Sequence, residues 1–229
     1  MTTIANSLQA VRQRIEQAAN LAGRPVASIQ LLAVSKNVPA ASIRLAYTAG
    51  QRAFGESYVQ EAMTKVEELN DLSLKWHFIG PLQSNKTRPI AENFSWVHSV
   101  DRARIAERLS TGRPAILSPL QVCLQVNVSG EATKGGVAPD EVLALARHVQ
   151  TLPRLKLRGL MAIPEPTDDI AKQRLSFVLM RQLLEQLNGQ GFQLDTLSMG
   201  MSDDFETAIA EGATIVRVGS AIFGERPKN

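Results

Sequence analysis

A lysine closes the apolar run LLAVSK at 31–36, and the loop Asn37-Val38-Pro39 follows it. A near-continuous hydrophobic run reads as a parallel strand buried on both faces. A charged residue at the C-terminal end of such a strand stands where α/β proteins build their sites. Lys36 is therefore the candidate nucleophile. An apolar setting makes a neutral amine available to attack a carbonyl and form a Schiff base. The other strand ends contribute Glu56 and Ser57, the run 77–81, Ser99, Asn127, Met161, the run 198–202 and the run 217–220. Loops after the last two strands of a barrel usually hold phosphate, which points to Ser202, Gly219 and Ser220. In TIVRVGS, 214–220, alternation puts Ile215, Arg217 and Gly219 on one face, and Thr214, Val216 and Val218 on the other. The valine face suits outer helices. Arg217 then turns into the barrel mouth, and Gly219 admits a ligand close to the backbone. The same logic puts Leu32, Val34 and Lys36 on one face.

Each of these residues has a plainer reading. Most lysines at strand ends are simply solvated. Ser202 could cap a helix, and Asp203 with Glu206 spells a D-x-x-E capping box that needs no ligand. Asp203 and Asp204 would also repel a nearby phosphate unless backbone N–H groups outweigh them. A buried Arg217 could pair with a carboxylate rather than a ligand. Gly219-Ser220 could be only a turn. His77, inside KWHFIGP, reads as a packed, hydrogen-bonded histidine, and His98 and His148 offer no metal-ligand spacing with it. Cys123 lies within an apolar strand and reads as core. Lys134, in ATKGG, is an exposed-loop lysine on a loop long enough to be a lid.

The elements that must position these groups alternate along the chain. Helical spacing of Ile4, Leu8, Val11, Ile15, Ala18 and Ala22 predicts a helix over 3–22, closed by Gly23 with Pro25 beyond. Strands are expected at 29–35, 52–55, 75–79, 96–99, 120–128, 155–163, 194–199 and 214–218. Helices are expected at 40–49, 57–69, 83–93 (interrupted by Pro89), 101–109 (opened by an Asp cap), 139–151, 168–187 and 203–211. Such alternation implies βαβ units and a parallel sheet. Eight strands is the number for a (β/α)8 barrel. The rival, a doubly wound open sheet, lacks its GxGxxG after any early strand.

Composition narrows the function classes. The 229 residues suit one α/β barrel, with 44% hydrophobic and 21% charged residues and no Pro/Gly/Ser-rich linker. A net charge of +3 and 5% aromatics give no footprint for nucleic acid or an anionic membrane. The first residues have no long apolar core, so neither a signal peptide nor a membrane anchor is expected. Cys123 is the single cysteine, which fits a reducing, cytoplasmic compartment.

LLAVSK, FGESYVQE, WHFIGPLQSNK, RGLMAIP, SMGMSDD and VRVGSAIFGER follow one another in that order. Together they resemble the pyridoxal phosphate homeostasis protein family, also called the proline synthetase co-transcribed family. The resemblance runs from about Ile4 to Arg226. It implies a single fold type III barrel domain over 1–229, like the N-terminal domain of alanine racemase, with an extra N-terminal helix, carrying pyridoxal 5'-phosphate (PLP). By position, Lys36 matches the lysine that forms the internal aldimine. Ser202, Gly219 and Ser220 match positions that bind the cofactor phosphate. Arg217 matches the arginine facing the pyridine nitrogen, and Met161 and Met201 match pocket-lining residues. Ser57 stands where the family has Asn, which makes a polar contact near the cofactor shorter or water-mediated. Val38 stands where some members carry a second lysine.

The resemblance further implies a monomeric, cytoplasmic carrier or regulator of PLP, with PLP-dependent apoenzymes as recipients, rather than a catalyst. An arginine only donates, so it favours an unprotonated pyridine nitrogen and a weaker electron sink. Alanine racemase-like enzymes add a β-domain and a catalytic tyrosine from a partner subunit. Here the sequence stops ten residues after Gly219, and neither Tyr47 nor Tyr58 is expected opposite Lys36. Two rivals keep the barrel: a weak PLP-dependent amino-acid racemase, and a Schiff-base aldolase holding a phosphosugar at Ser202 and Gly219.

Overall fold

The computed structural model describes residues 3–130 and 135–225. Strand and helix alternate through β1 (Gln30–Val34), α2 (Ala40–Thr48), β2 (Ala53–Glu56), α3 (Val59–Glu68), β3 (Lys75–Phe78), α4 (Thr87–Asn93), β4 (Trp96–Val100) and α5 (Ala103–Gly112). They continue through β5 (Leu120–Gln125), α6 (Val142–Gln150), β6 (Leu155–Met161), α7 (Ile170–Gly189), β7 (Thr196–Ser198), α8 (Phe205–Ala210), β8 (Ile215–Val218) and α9 (Ser220–Phe223). The eight strands are parallel and close in chain order, with β8 returning to β1. That is the expected (β/α)8 barrel.

The extra N-terminal helix is α1 (Ile4–Leu21), capped by the Thr3 hydroxyl, which accepts from the Asn6 N–H. Its stripe of Leu8, Val11, Ile15, Ala18 and Ala19 is buried, each large side chain contributing about 1.5–3 kcal/mol. The helix lies across α2, α8 and α9. It therefore packs against the two helices that follow the last strands, beside the candidate site.

Two cores share the strands. Ala33, Phe54, Trp76, Phe78, Val97, Val122, Val216 and Val218 face the outer helices. Leu32, Ala53 and Ile215, with Ile79 and Trp96 against them, form a small apolar cluster inside the barrel. Branched apolar side chains usually dominate a barrel interior. Here His77, His98, Ser198 and Arg217 are buried as well, and they hydrogen-bond one another.

Several local expectations change. Asp101 does not cap α5: Arg102 occupies the cap position with no side-chain cap bond, and the Asp101 carboxylate accepts from the Arg102 guanidinium instead. The Asp203–Glu206 capping box does not form. Asp204 sits at the cap of α8, and its carboxylate accepts from the Met201 N–H. Glu206 is drawn away by Arg14, whose Nε donates to it at 2.7 Å. Pro89 interrupts nothing, because a 3-10 turn, Ser84–Lys86, precedes α4 and leaves the proline in its first turn. The strand expected over 120–128 ends at Gln125, and Val126 makes only an isolated bridge to Val137. Lys134 and its lid reading lie outside the described residues.

Candidate functional site

A cavity of about 310 Å³ opens at the C-terminal ends of β1, β2 and β8 and the loop after β7. Val34, Lys36, Ser57, Ile79, Ile163, Met201, Ser202, Asp203, Arg217, Gly219 and Ser220 line it. The structure thus brings together Lys36, Ser57, Met201, Ser202, Arg217, Gly219 and Ser220, though they span most of the sequence. Met161 does not line the cavity: it is fully buried at the end of β6, and Ile163, two residues on along the same alternation, takes the position at the wall. Neither Tyr47 nor Tyr58 lines it. Tyr58 is exposed, and the Tyr47 ring lies under the Arg52 guanidinium at 3.9 Å.

Three kinds of group meet in this space. Lys36, half-buried on the turn after β1, brings an amine. The hydroxyls of Ser202 and Ser220 hydrogen-bond each other at 3.1 Å, where β8, the neighbour of β1, passes through Gly219 into α9. The Ser202 carbonyl is held by Arg14 Nη2 at 3.2 Å, which ties this wall to α1. Arg217, 4% exposed, lines the same cavity. Its Nη1 donates to the Ser198 carbonyl at 2.5 Å and hydroxyl at 2.9 Å, and its Nη2 to the Ala162 carbonyl at 2.8 Å. Three of the five guanidinium N–H groups are engaged this way, and the side chain lines the cavity. Burial lowers Arg217 to about 10, with Asp204 opposing, so it stays cationic at neutral pH. An amine, a fixed cationic donor and paired hydroxyls fit a molecule with a carbonyl, a ring acceptor and a phosphate. The donor set therefore fits PLP.

Ser202 is placed by Gly200, whose φ of +91° is open to glycine but strained for other residues. A Cβ there would lie 2.6 Å from Ala208 Cβ and 2.9 Å from Phe205 Cα. The Gly200 carbonyl also accepts from the Arg217 N–H at 2.9 Å. Gly200→Ala is therefore expected to destabilise the protein by about 2–4 kcal/mol and to loosen both the Ser202 wall and β8. Urea midpoints measure the first effect, and anion affinity the second.

Lys36 is framed by contacts that motif reading missed. Ser35 Oγ donates to Glu56 Oε1 at 2.6 Å, and Lys65 Nζ donates to Glu56 Oε1 at 2.9 Å and to the Ser35 carbonyl at 2.6 Å. Glu61 Oε1 accepts from Lys65 Nζ at 2.5 Å and from the Asn37 N–H at 2.6 Å. Ser35, before Lys36, is thus clamped to β2 and α3, and Asn37, after it, to α3. Asn37 takes a φ of +56°, a turn that Asn tolerates. Burial raises the Glu56 carboxyl, while Lys65 and Ser35 pull it down. Val38 points into the outer core at 4% exposure, away from this clamp.

His77 Nδ1 lies 2.9 Å from His98 Nε2, and His98 Nδ1 lies 2.8 Å from Ser198 Oγ. Burial, then the charge of Lys75, lowers His77 to about 3. Burial, then His77 and Arg217, holds His98 well below its ordinary value. An unfolded chain takes up a proton on each histidine near pH 6.5 while the folded one does not, so stability falls as pH drops below that point. Between pH 7 and 5, wild type is expected to lose about 2 kcal/mol more than His77→Gln, read from urea midpoints. Equal losses would mean that His77 protonates without unfolding. Burial pushes the Cys123 thiol up to about 12, as an inert core thiol requires.

The alanine racemase N-terminal domain matches residues 7–227. A pyridoxal phosphate homeostasis protein of Pseudomonas aeruginosa is 62% identical over 226 residues, covering 99% of this chain and 97% of its own. One from Escherichia coli is 51% identical, covering 99% and 98%. Among solved structures, PipY of Synechococcus elongatus with PLP bound superposes with a TM-score of 0.80 at 43% identity, covering 92% of this chain and all of its own. Alanine racemase of Corynebacterium glutamicum shares the fold, with a TM-score of 0.67 at 19% identity, and this chain spans 61% of it. The chain belongs to the pyridoxal phosphate homeostasis protein family, built on the barrel of the alanine racemase N-terminal domain.

Proposed function

We propose that this protein binds PLP reversibly through Lys36 and takes part in PLP homeostasis in the cytoplasm, as a monomeric carrier that passes the cofactor to PLP-dependent apoenzymes. The observation that carries this reading is the meeting of Lys36, Arg217 and the Ser202–Ser220 pair around one cavity of about 310 Å³. PLP, when bound, supplies an aldehyde for the Lys36 amine and a pyridine ring that withdraws electrons. Ser202, Ser220 and the backbone at Gly219 would hold the phosphate. Ser57 and Met201 would border the ring, and Arg217 would donate to its nitrogen. As a permanent donor, Arg217 leaves that nitrogen without a proton of its own and so weakens the ring as an electron sink. Among the described residues of the lining, Lys36 is the one amine, and none is a tyrosine or histidine that could work from the other side. These residues suit holding the cofactor better than two-sided proton transfer. The homeostasis names of relatives at 51–62% identity support the same reading.

The test is the visible spectrum of the purified protein with PLP added, before and after borohydride, followed by peptide mass mapping. A band at ~420 nm that disappears on reduction, leaving phosphopyridoxyl on the Lys36 peptide, is the expected result. A protein that stays colourless would bring forward the phosphosugar aldolase. Chiral analysis of alanine and serine after long incubation would expose a weak racemase.

A further inference from the structure

His77, His98 and Ser198, buried inside the barrel, do not line the cavity, yet their hydrogen bonds lead to Arg217, which does. Their hydrogens can be assigned from donor and acceptor capacity. Arg217 only donates, so Ser198 Oγ accepts from it at 2.9 Å. A serine hydroxyl has one hydrogen, and the other buried partner of Ser198 Oγ is His98 Nδ1 at 2.8 Å. Ser198 therefore donates and His98 Nδ1 accepts. A neutral imidazole carries its hydrogen on the other nitrogen, so His98 Nε2 donates to His77 Nδ1 at 2.9 Å. His77 is left with its hydrogen on Nε2, a buried atom with no hydrogen-bond partner among the described residues. The reverse assignment strands a buried serine O–H as well as a buried histidine lone pair, and so leaves two orphans instead of one. Trp96 stacks on His77 at 5.4 Å with an interplanar angle of 3° and fixes the ring.

We propose that Ser198 and His98 are positioning residues for Arg217. A one-way hydrogen-bond chain, Arg217 to Ser198 to His98 to His77, fixes the guanidinium and keeps this side of the cavity a pure donor. Among the described residues the acceptors of Arg217 are two carbonyls and a hydroxyl and no carboxylate, so its guanidinium stays available to donate to a ring acceptor. This rests on the reading that Arg217 faces the ring nitrogen of PLP.

Ring 15N NMR of the protein without added PLP, at pH 7, tests the chain by itself. Both His77 and His98 are expected to carry hydrogen on Nε2, and a hydrogen on Nδ1 of either would overturn the assignment. The positioning role is read from PLP labelled with 15N in the ring. Ser198→Ala and His98→Leu are expected to shift the ring 15N signal and to weaken PLP binding about tenfold, whereas His98→Asn, which can still accept from Ser198, restores both. Wild-type binding with an unchanged ring signal and affinity in Ser198→Ala and His98→Leu would overturn this proposal alone. Failure of the wild-type protein to bind labelled PLP would overturn it together with the functional reading beneath it.

Discussion

Lys65→Met is expected to destabilise the barrel by about 3–5 kcal/mol, the range for breaking a buried ion pair by removing one partner. Glu56 is fully buried and Lys65 is 5% exposed, so their contact is desolvated on both sides. Methionine keeps the length of the side chain but leaves the Glu56 carboxylate, among the described residues, with the Ser35 hydroxyl as its donor. One oxygen of that carboxylate, Oε2, already lacks a hydrogen-bond partner among the described residues, which leaves little reserve to absorb the loss. The same substitution leaves the Ser35 carbonyl with the Val38 N–H as its donor, so the turn carrying Lys36 loses its tie to α3. Urea unfolding measures the effect, and Glu56→Gln on top of Lys65→Met should return about 2 kcal/mol by removing the stranded charge. If the double variant is no more stable than the single, the loss comes from packing and not from the carboxylate.

The barrel was legible because its strands are short apolar runs separated by helices of regular length, and that pattern survives errors of a few residues at each end. The polarity of single positions was legible where alternation was clean. In TIVRVGS the two valines face the outer helices and Arg217 faces inward, as the sequence pattern requires. Caps were read less well. Asp101 and the Asp203–Glu206 pair have the right residue types at the right spacing, but Arg102 and Arg14 compete for their carboxylates. An arginine 192 residues away in the chain cannot be weighed from a local motif.

The same reasoning separates the parts of the site. Lys36, Ser202, Arg217, Gly219 and Ser220 stand at strand ends and could be listed from strand positions alone. The Glu56–Lys65–Glu61 clamp and the Ser198–His98–His77 chain depend on contacts between strands and helices, with Ser198 and His98 100 residues apart. A signal for the second was present. Trp76 and Phe78 face the outer core, so His77 between them must face inward, and inward-facing Trp96 puts His98 on the same face of the neighbouring strand. Two histidines turned into one barrel interior have to satisfy each other or find a hydroxyl. Met161 failed for a different reason. Its place at the end of β6 and the resemblance pointed to it, but neither carries depth, and the cavity wall is met two residues on, at Ile163.

Lys36→Ala should abolish covalent attachment of PLP outright, which makes it the largest functional effect expected of any single substitution here. The amine is the group in the cavity wall that can bond a carbonyl carbon, and alanine offers nothing in its place. On the proposed reading the non-covalent part would remain, the Ser202–Ser220 pair for the phosphate and Arg217 for the ring, so the protein should still bind PLP, but about 100-fold or more weakly, with no band at ~420 nm and no phosphopyridoxyl peptide after borohydride. Residual binding should weaken further in Ser220→Ala. The pair of measurements separates attachment from retention, which a carrier must keep distinct if it is to release its cargo. A full visible band in Lys36→Ala, with the adduct mapped to another lysine, would move the attachment point away from β1 and leave the clamp around Ser35 and Asn37 without a functional purpose.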